Sequence, residues 1–136
     1  SNERQLDWTV HAIETGLHTQ TGGRIKKCMD LFPGETILAT YGDGLGNVNI
    51  NKLVAFHKSH GKLATVTAVR PPARFGHMEL SGNQVLHFGE KNQSDVGWIN
   101  GGFFVINSKF FSYLRNDNTY LEREPLENIT KKKQLR

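Results

Sequence analysis

ETILATYGDG, residues 35–44, is the stretch on which the predicted fold depends. Residues 37–41 form a short apolar run rich in β-forming residues, which is typical of a strand buried on both faces. The run stops at Gly42-Asp43-Gly44. In open α/β sheets, ligands bind just beyond the carboxyl ends of strands, and glycine lets a ligand approach the backbone closely. An isolated Asp-Gly more often only ends a strand at a turn, so Asp43 alone leaves both interpretations open.

The composition describes one modest soluble domain of 136 residues, with 37% hydrophobic and 22% charged residues. The net charge of +4 indicates a solvated basic surface or, alternatively, a site for polyanions such as nucleotides. Basic residues do not cluster with interleaved aromatic residues, so nucleic-acid binding is not expected. No apolar stretch is long enough to span a membrane. The single cysteine, Cys28, cannot form an internal disulfide, which predicts a reducing, cytoplasmic location.

Periodicity and turn signals predict an α/β fold: an open, mostly parallel sheet with flanking helices and a small β-hairpin excursion. The order strand, helix, strand over residues 37–69 predicts a right-handed parallel crossover. Asn49 and Gly61 are expected to cap the intervening helix, on which His57 and His60 lie at a surface or boundary without metal-binding partners. The remaining predicted elements are a strand at 8–14, a helix from about Arg24 capped by Thr21, a hairpin at 76–88, a strand at 98–106, a helix at 108–114 capped by Ser108, and a final charged helix at 123–133.

Glycine stands beside polar residues at three predicted strand ends: Gly42-Asp43-Gly44, Gly89-Glu90-Lys91 and Asn100-Gly101-Gly102. In a parallel sheet such ends gather on one side. Asp43 would then hold Mg²⁺, Lys91 would neutralise phosphate charge, and Asn100 and Glu90 would bind sugar hydroxyls. Arg24, beside a Gly-rich loop, is suited to clamp a phosphate. Taken singly, Glu90-Lys91 can also be a surface ion pair and Asn100-Gly101 a turn.

Several short motifs occur together in one order along the chain. They are Thr21-Gly22-Gly23-Arg24, Tyr41-Gly42-Asp43-Gly44, residues 56–62 (FHKSHGK), Pro71-Pro72, Arg74-Phe75-Gly76, Glu90-Lys91, residues 99–105 (INGGFFV) and Glu124-Pro125-Leu126-Glu127. Their combination resembles the glucose-1-phosphate cytidylyltransferases, within the sugar-phosphate nucleotidyltransferases. The resemblance runs from about Thr15 to the last residue.

The resemblance implies a mononucleotide-binding α/β sheet and the reaction of CTP with glucose 1-phosphate to CDP-glucose and pyrophosphate, a step in sugar-nucleotide and polysaccharide biosynthesis. It implies Mg²⁺ as cofactor and a homo-oligomer, with no nucleic-acid or membrane partner. The residues that it implies are catalytic Asp43 and Lys91, with Asp43 as metal ligand; nucleotide-binding Thr19, Arg24 and Gly42; and sugar-phosphate-binding Gly76, Glu90, Lys91, Asn100 and Gly101.

Two parts of the family pattern are not found in residues 1–136. One is a Gly-rich loop carrying an arginine and followed by a catalytic lysine; the other is a second metal-binding aspartate in a Pro-Met-Asp segment. Residues 1–136 are therefore expected to form a partial nucleotidyltransferase domain that is nearly inactive alone. The alternatives are a related enzyme that uses UTP or dTTP, and a ligand-binding or assembly module without catalysis.

Overall fold

The structure, a computed structural model, describes residues 7–71, 76–90 and 97–136. Strands and helices alternate over much of this length, as the α/β prediction requires. The helices are α1 (Thr21–Leu31), α2 (Ile50–His60) and α3 (Glu124–Lys131), with a 3₁₀ helix at Ser108–Tyr113. The strands are β1 (Ile37–Ala39), β2 (Ala64–Val69), β3 (Gly76–Ser81), β4 (Gln84–Glu90) and β5 (Ile99–Ile106).

The main sheet has the order β1-β5-β2, with β5 antiparallel to both neighbours. Ile106 therefore lies opposite both Ile37 and Ala64. Strands β1 and β2 run in the same direction, as the predicted crossover through α2 requires, but β5 lies between them. The α/β class and the β3–β4 hairpin are confirmed, whereas the strand pairings in the described residues are antiparallel where a mostly parallel sheet was predicted.

The strand segment buried on both faces is the last three residues of β5, not the run at 37–41. The side chains of Phe104, Val105 and Ile106 are at most 2% exposed. By contrast, β1 covers only three residues, and its central Leu38 is 52% exposed. The prediction for β1 was wrong because a run of apolar residues does not reveal which strand occupies the centre of a sheet. That position depends on pairing with distant strands.

Helices cover both faces of this sheet. On one face, α1, the 3₁₀ helix and α3 supply apolar side chains that pack against Phe104 and Ile106. These side chains are Met29, Phe110, Leu126 and Ile129, joined by Leu114 directly after the 3₁₀ helix. On the other face, α2 packs against β2, where His57 contacts Thr65. The layers bury a continuous core. The carboxyl end of β1, which leads into residues 40–44, lies at the edge of the sheet, and we call this edge the rim.

Local capping chemistry is confirmed at α2 and differs at two other helices. The Asn49 side chain accepts a 3.0 Å hydrogen bond from a first-turn N–H, and Gly61 ends the helix at φ +60°. Thr21 does not cap α1: it is the first residue of the helix, Gln20 occupies the N-cap position, and the Thr21 hydroxyl bonds to a distant carboxylate, described below. The 3₁₀ helix is capped by Asn107 rather than Ser108.

The two ends of the described chain also differ from expectation. Residues 8–14 form no strand, and Trp8 and Val10 are 75% and 84% exposed. Their alternating pattern finds no partner strand among the described residues. After α3, the chain does not end on the helix: Leu135 forms a parallel bridge with Ala64, and the Arg136 N–H donates to the Ala64 carbonyl at 3.1 Å.

His57 is buried rather than at a surface or boundary, with 4% of its area exposed. Its Nδ1 lies 2.8 Å from the Thr65 hydroxyl. Within residues 7–71, 76–90 and 97–136, no three potential metal-ligating side chains come together. None of the helices in the described segments has the length and apolar character needed to cross a lipid bilayer.

Candidate active site at the end of β1

A tight turn follows β1 and carries Asp43. The Gly44 N–H donates to the Tyr41 carbonyl at 3.3 Å, which closes the turn over Gly42 and Asp43. The Asp43 side chain is exposed. A Cβ on Gly42 would meet nothing within 4 Å. Packing within the described chain therefore does not require glycine at position 42. The absence of a side chain there leaves the backbone open to a ligand.

Asn100 lies beside this turn, at the start of β5. Its Nδ2 donates to the Tyr41 hydroxyl at 3.3 Å, and its Oδ1 accepts from the Gly102 N–H at 2.8 Å. The sequence predicted that Asp43 and Asn100 would lie at one edge, as carboxyl ends of parallel strands. They flank Tyr41 for a different reason: β5 is antiparallel to β1, so the amino end of β5 meets the carboxyl end of β1.

At the glycine pair in β5, Gly101 and Gly102, other atoms of the protein fill the space that a side chain would need. A Cβ on Gly101 would lie 2.8 Å from Val69 Cγ1 and 2.9 Å from the Thr67 carbonyl oxygen. Gly102 has φ +81°, and a Cβ there would lie 2.7 Å from the Tyr41 ring. Both glycines are thus explained by close internal packing. If Gly101 contacts a ligand, it can do so only through its backbone N–H and C=O groups.

A cavity of about 230 Å³ opens between α1 and the end of β1. It brings together Arg24 and Gly42, two of the residues predicted to bind nucleotide. The Arg24 guanidinium donates to the Thr15 hydroxyl and, at 3.4 Å, to the Leu17 carbonyl. The lining residues are Thr21, Arg24, Ile25, Ala39, Thr40, Tyr41, Gly42, Phe104 and Leu121.

Thr19, also predicted to bind nucleotide, lies outside this lining and is 6% exposed. Its hydroxyl donates to the Thr15 carbonyl and lies 3.2 Å from Asp117 Oδ2. Lys27 completes the cluster through a 2.8 Å ion pair with Asp117, and its hydrogen bond is the main reason that the pKa of the Asp117 carboxyl falls below its usual value. In this arrangement the Thr19 side chain holds the loop that precedes α1.

Two predicted sugar-phosphate residues, Gly76 and Glu90, belong to the hairpin. Gly76 and Glu90 are cross-strand partners, at the end of the hairpin away from its turn. Lys91 lies outside the described residues.

Tyr41 and Glu122, which the sequence analysis did not include among the site residues, complete the site. The Tyr41 hydroxyl donates to Glu122 Oε1 at 2.6 Å, and the Thr21 hydroxyl donates to Glu122 Oε2 at 2.8 Å. Burial, assisted by this contact with Glu122, raises the pKa of Tyr41 to about 12. Glu122 is 81 positions from Tyr41 along the chain, so no local pattern could have paired them.

Asp43 is the described side chain best placed to hold a metal ion at this rim. One exposed carboxylate fits Mg²⁺, which keeps several waters and takes further oxygen ligands from substrate phosphates. It does not fit an all-protein cage, since no group of three potential ligands occurs in the described segments. The arrangement therefore suits a metal that arrives with a phosphorylated substrate.

Comparison with known families decides what kind of protein carries this site. The model of a family described as nucleotidyl transferase matches residues 2–134. The chain belongs to the nucleotidyl transferase family. It is 41% identical over 135 residues to the glucose-1-phosphate cytidylyltransferase of Salmonella typhi, an alignment that covers 98% of the chain and 52% of the relative. A probable glucose-1-phosphate cytidylyltransferase of Bacillus subtilis is 44% identical over 129 residues, covering 94% and 50%.

Solved structures share the fold of this chain. A putative glucose-1-phosphate thymidylyltransferase from Bacillus anthracis aligns with a TM-score of 0.59 at 19% identity, over 88% of this chain and 52% of that one. HddC from Yersinia pseudotuberculosis, solved with GMP-PN, aligns with a TM-score of 0.56 at 21% identity, over 83% and 50%. The chain spans about half the length of the curated relatives it matches.

Proposed function

We propose that these residues form part of the active site of a glucose-1-phosphate cytidylyltransferase, which converts CTP and glucose 1-phosphate to CDP-glucose and pyrophosphate. The observation that carries the proposal is the 41–44% identity to cytidylyltransferases over nearly the whole chain. The geometry supports it, because Asp43 and Asn100 flank Tyr41 at one rim beside a cavity that Arg24 lines.

In the proposed reaction, a phosphate oxygen of glucose 1-phosphate attacks the α-phosphorus of CTP in line. The P–O bond to the β-phosphate breaks, and pyrophosphate leaves with that oxygen. A protein contributes to such a transfer mainly by positioning the reactants and by stabilising charge. Arg24 and the open backbone at Gly42 would bind the nucleotide. Asn100, the Gly101 backbone, Gly76, Glu90 and Lys91 would bind the sugar phosphate.

Mg²⁺, when bound, would supply positive charge that neutralises the phosphates. Asp43 would hold it on the protein side, since its carboxylate is exposed in the turn after β1. A single protein carboxylate gives weak metal binding unless the nucleotide contributes its own oxygens. We therefore infer that the metal and the nucleotide bind together at this rim.

The 136 residues alone should turn over much more slowly than a chain that also carries the other half of the relatives' length. Losing even one group that stabilises transition-state charge commonly costs about 10²–10³ in rate. To test the proposal, residues 1–136 would replace the matching half of the Bacillus subtilis relative. Pyrophosphate release from CTP, UTP and dTTP would then be measured with glucose 1-phosphate and Mg²⁺.

The hybrid enzyme should release pyrophosphate with CTP in clear preference to UTP and dTTP, at least about 100-fold faster than residues 1–136 alone. Asp43→Asn in the hybrid should abolish most of that rate, whereas Asp30→Asn, on an exposed position of α1, should not. Equal use of the three nucleotides would overturn the assignment of CTP. Full activity of Asp43→Asn would overturn the assignment of the metal ligand.

We also propose that the protein works in the cytoplasm and forms a homo-oligomer. The first rests on Cys28, which is a free thiol. The second follows only from the resemblance to the cytidylyltransferases.

A further inference from the structure

Four side chains from four separate segments form one continuous hydrogen-bonded chain. The Thr21 hydroxyl, at the start of α1, donates to Glu122 at 2.8 Å. The Tyr41 hydroxyl, just after β1, donates to the other oxygen of Glu122 at 2.6 Å. Asn100, in β5, then donates to the Tyr41 oxygen at 3.3 Å. We call these four residues the Glu122 relay.

The direction of every bond in the Glu122 relay follows from its chemistry. An ionised carboxylate can only accept hydrogen bonds, so the single O–H of Tyr41 donates to Glu122. The Tyr41 oxygen can then only accept from Asn100, which turns the NH₂ group of Asn100 toward Tyr41. The amide oxygen of Asn100 consequently faces the Gly102 N–H, from which it accepts at 2.8 Å.

The Tyr41 ring cannot easily move away from these partners. It packs edge-on against Phe104, with ring centres 6.0 Å apart and planes at 90°. The backbone of Gly102 lies so close on another side that a Cβ there would be 2.7 Å from the ring. The phenol is therefore held at a fixed point between Glu122 and Asn100.

We propose that Glu122 is a positioning residue that fixes the amide orientation of Asn100 through Tyr41, so that one N–H and one lone pair of Asn100 point consistently at the sugar phosphate. The sugar-phosphate part of this inference rests on the function proposed above. Since Thr21 belongs to α1 and Arg24 follows one turn later, the Glu122 relay also ties the nucleotide side of the rim to the sugar side.

The inference can be tested on the 136-residue chain by NMR, first without ligand. The side-chain NH₂ signals of Asn100 are assigned by their loss in Asn100→Asp. In Glu122→Gln, the new side chain can donate as well as accept, so Tyr41 is no longer forced to donate to it. The Asn100 NH₂ signals and the Gly102 backbone amide should therefore shift. Tyr41→Phe should shift the same signals, and Glu127→Gln, on an exposed position of α3, should leave them in place.

A ligand titration separates this inference from the proposed function. Glucose 1-phosphate should move the Asn100 NH₂ signals of the unsubstituted chain, and Glu122→Gln should weaken its binding by about five- to tenfold. Unchanged Asn100 and Gly102 signals in both ligand-free variants would overturn the Glu122 relay itself. No effect of glucose 1-phosphate on Asn100 of the unsubstituted chain would instead overturn the sugar-phosphate site.

A third result, equal affinity for glucose 1-phosphate in Glu122→Gln and Glu127→Gln, would overturn the positioning role while leaving the site intact. Unchanged Phe104 and Val105 backbone amides would show that each variant is folded. If Glu122→Gln fails this check, Tyr41→Phe decides the same question, because it removes the hydroxyl without removing the ring.

Discussion

Gly102→Ala is expected to lower the free energy of unfolding by about 2–4 kcal/mol, of which about 1–2 kcal/mol is backbone strain and the rest overpacking. Gly102 has φ +81°, a conformation that is costly for residues with a Cβ. The added Cβ would also lie 2.7 Å from Tyr41 Cδ2 and 3.2 Å from Cε2. Because Phe104 and Glu122 hold the ring in place, the clash must be relieved by shifting β5 or the turn after β1.

Gly34→Ala is the matched control for this prediction. Gly34 has nearly the same φ, +85°, but a Cβ there would meet nothing within 4 Å. It should therefore show the strain alone, about 1–2 kcal/mol, in urea unfolding. On a Tyr41→Ala background, the cost of Gly102→Ala should fall to the value for Gly34→Ala. Equal costs for Gly34→Ala and Gly102→Ala in the unsubstituted chain would contradict the packing of Tyr41 against Gly102.

The second large effect is a loss of stability as the pH falls below about 6.5, caused by His57 and His60. The Lys62 N–H donates to His60 Nδ1 at 2.9 Å, so that nitrogen carries no proton. His60 Nε2 must then donate to the Thr65 hydroxyl, and the Thr65 proton goes to His57 Nδ1, both at 2.8 Å. Both rings are neutral in this arrangement.

Burial lowers the pKa of both histidines below 6.5. At His57 the charge of His60 adds to the effect, and at His60 the charges of Arg136 and Lys62 do so. Between the lowered pKa values and pH 6.5, the unfolded chain binds more protons than the folded one. The free energy of unfolding is therefore independent of these groups above pH 6.5 and falls as the pH drops below it.

Urea unfolding at pH 7.5 and pH 5.5 measures this effect. The midpoint should be lower at pH 5.5 in the unsubstituted chain, and the difference should shrink in a variant with His57→Gln and His60→Gln. Glutamine can still hydrogen-bond to Thr65 but does not titrate in this range. A pH dependence that is the same in the double variant and the unsubstituted chain would show that other groups cause it.

Local chemistry in the sequence was enough to predict several parts of the fold. Asn49 and Gly61 bound α2 as predicted. Gly82 lies in the turn of the predicted hairpin, and Pro125 lies in the first turn of α3. Each of these signals acts within a few residues, through a cap, a positive φ or a missing N–H. Such signals do not depend on how the sheet is assembled.

The sheet order and the Glu122 relay could not be predicted in this way, since both depend on distant pairings. β5 enters between β1 and β2 although it follows both in sequence. Thr21 has the residue type of a helix cap, but its hydroxyl donates a hydrogen bond to the carboxylate of Glu122, 101 positions away. Asp43 and Asn100 were predicted to lie at one edge because of parallel strands, whereas the antiparallel pairing of β1 and β5 brings their segments together.

The most direct test of the account is to map, by backbone amide NMR, where the chain binds CTP with Mg²⁺ and glucose 1-phosphate. We expect CTP with Mg²⁺ to shift the amide signals of residues 40–44 and Arg24, and glucose 1-phosphate to shift those of residues 99–102. Residues 50–60, in α2 on the other face of the sheet, should stay unchanged. Shifts centred on α2, or no shifts at residues 40–44 and 99–102 with both ligands at millimolar concentration, would contradict the assignment of this rim as the nucleotidyl-transfer site.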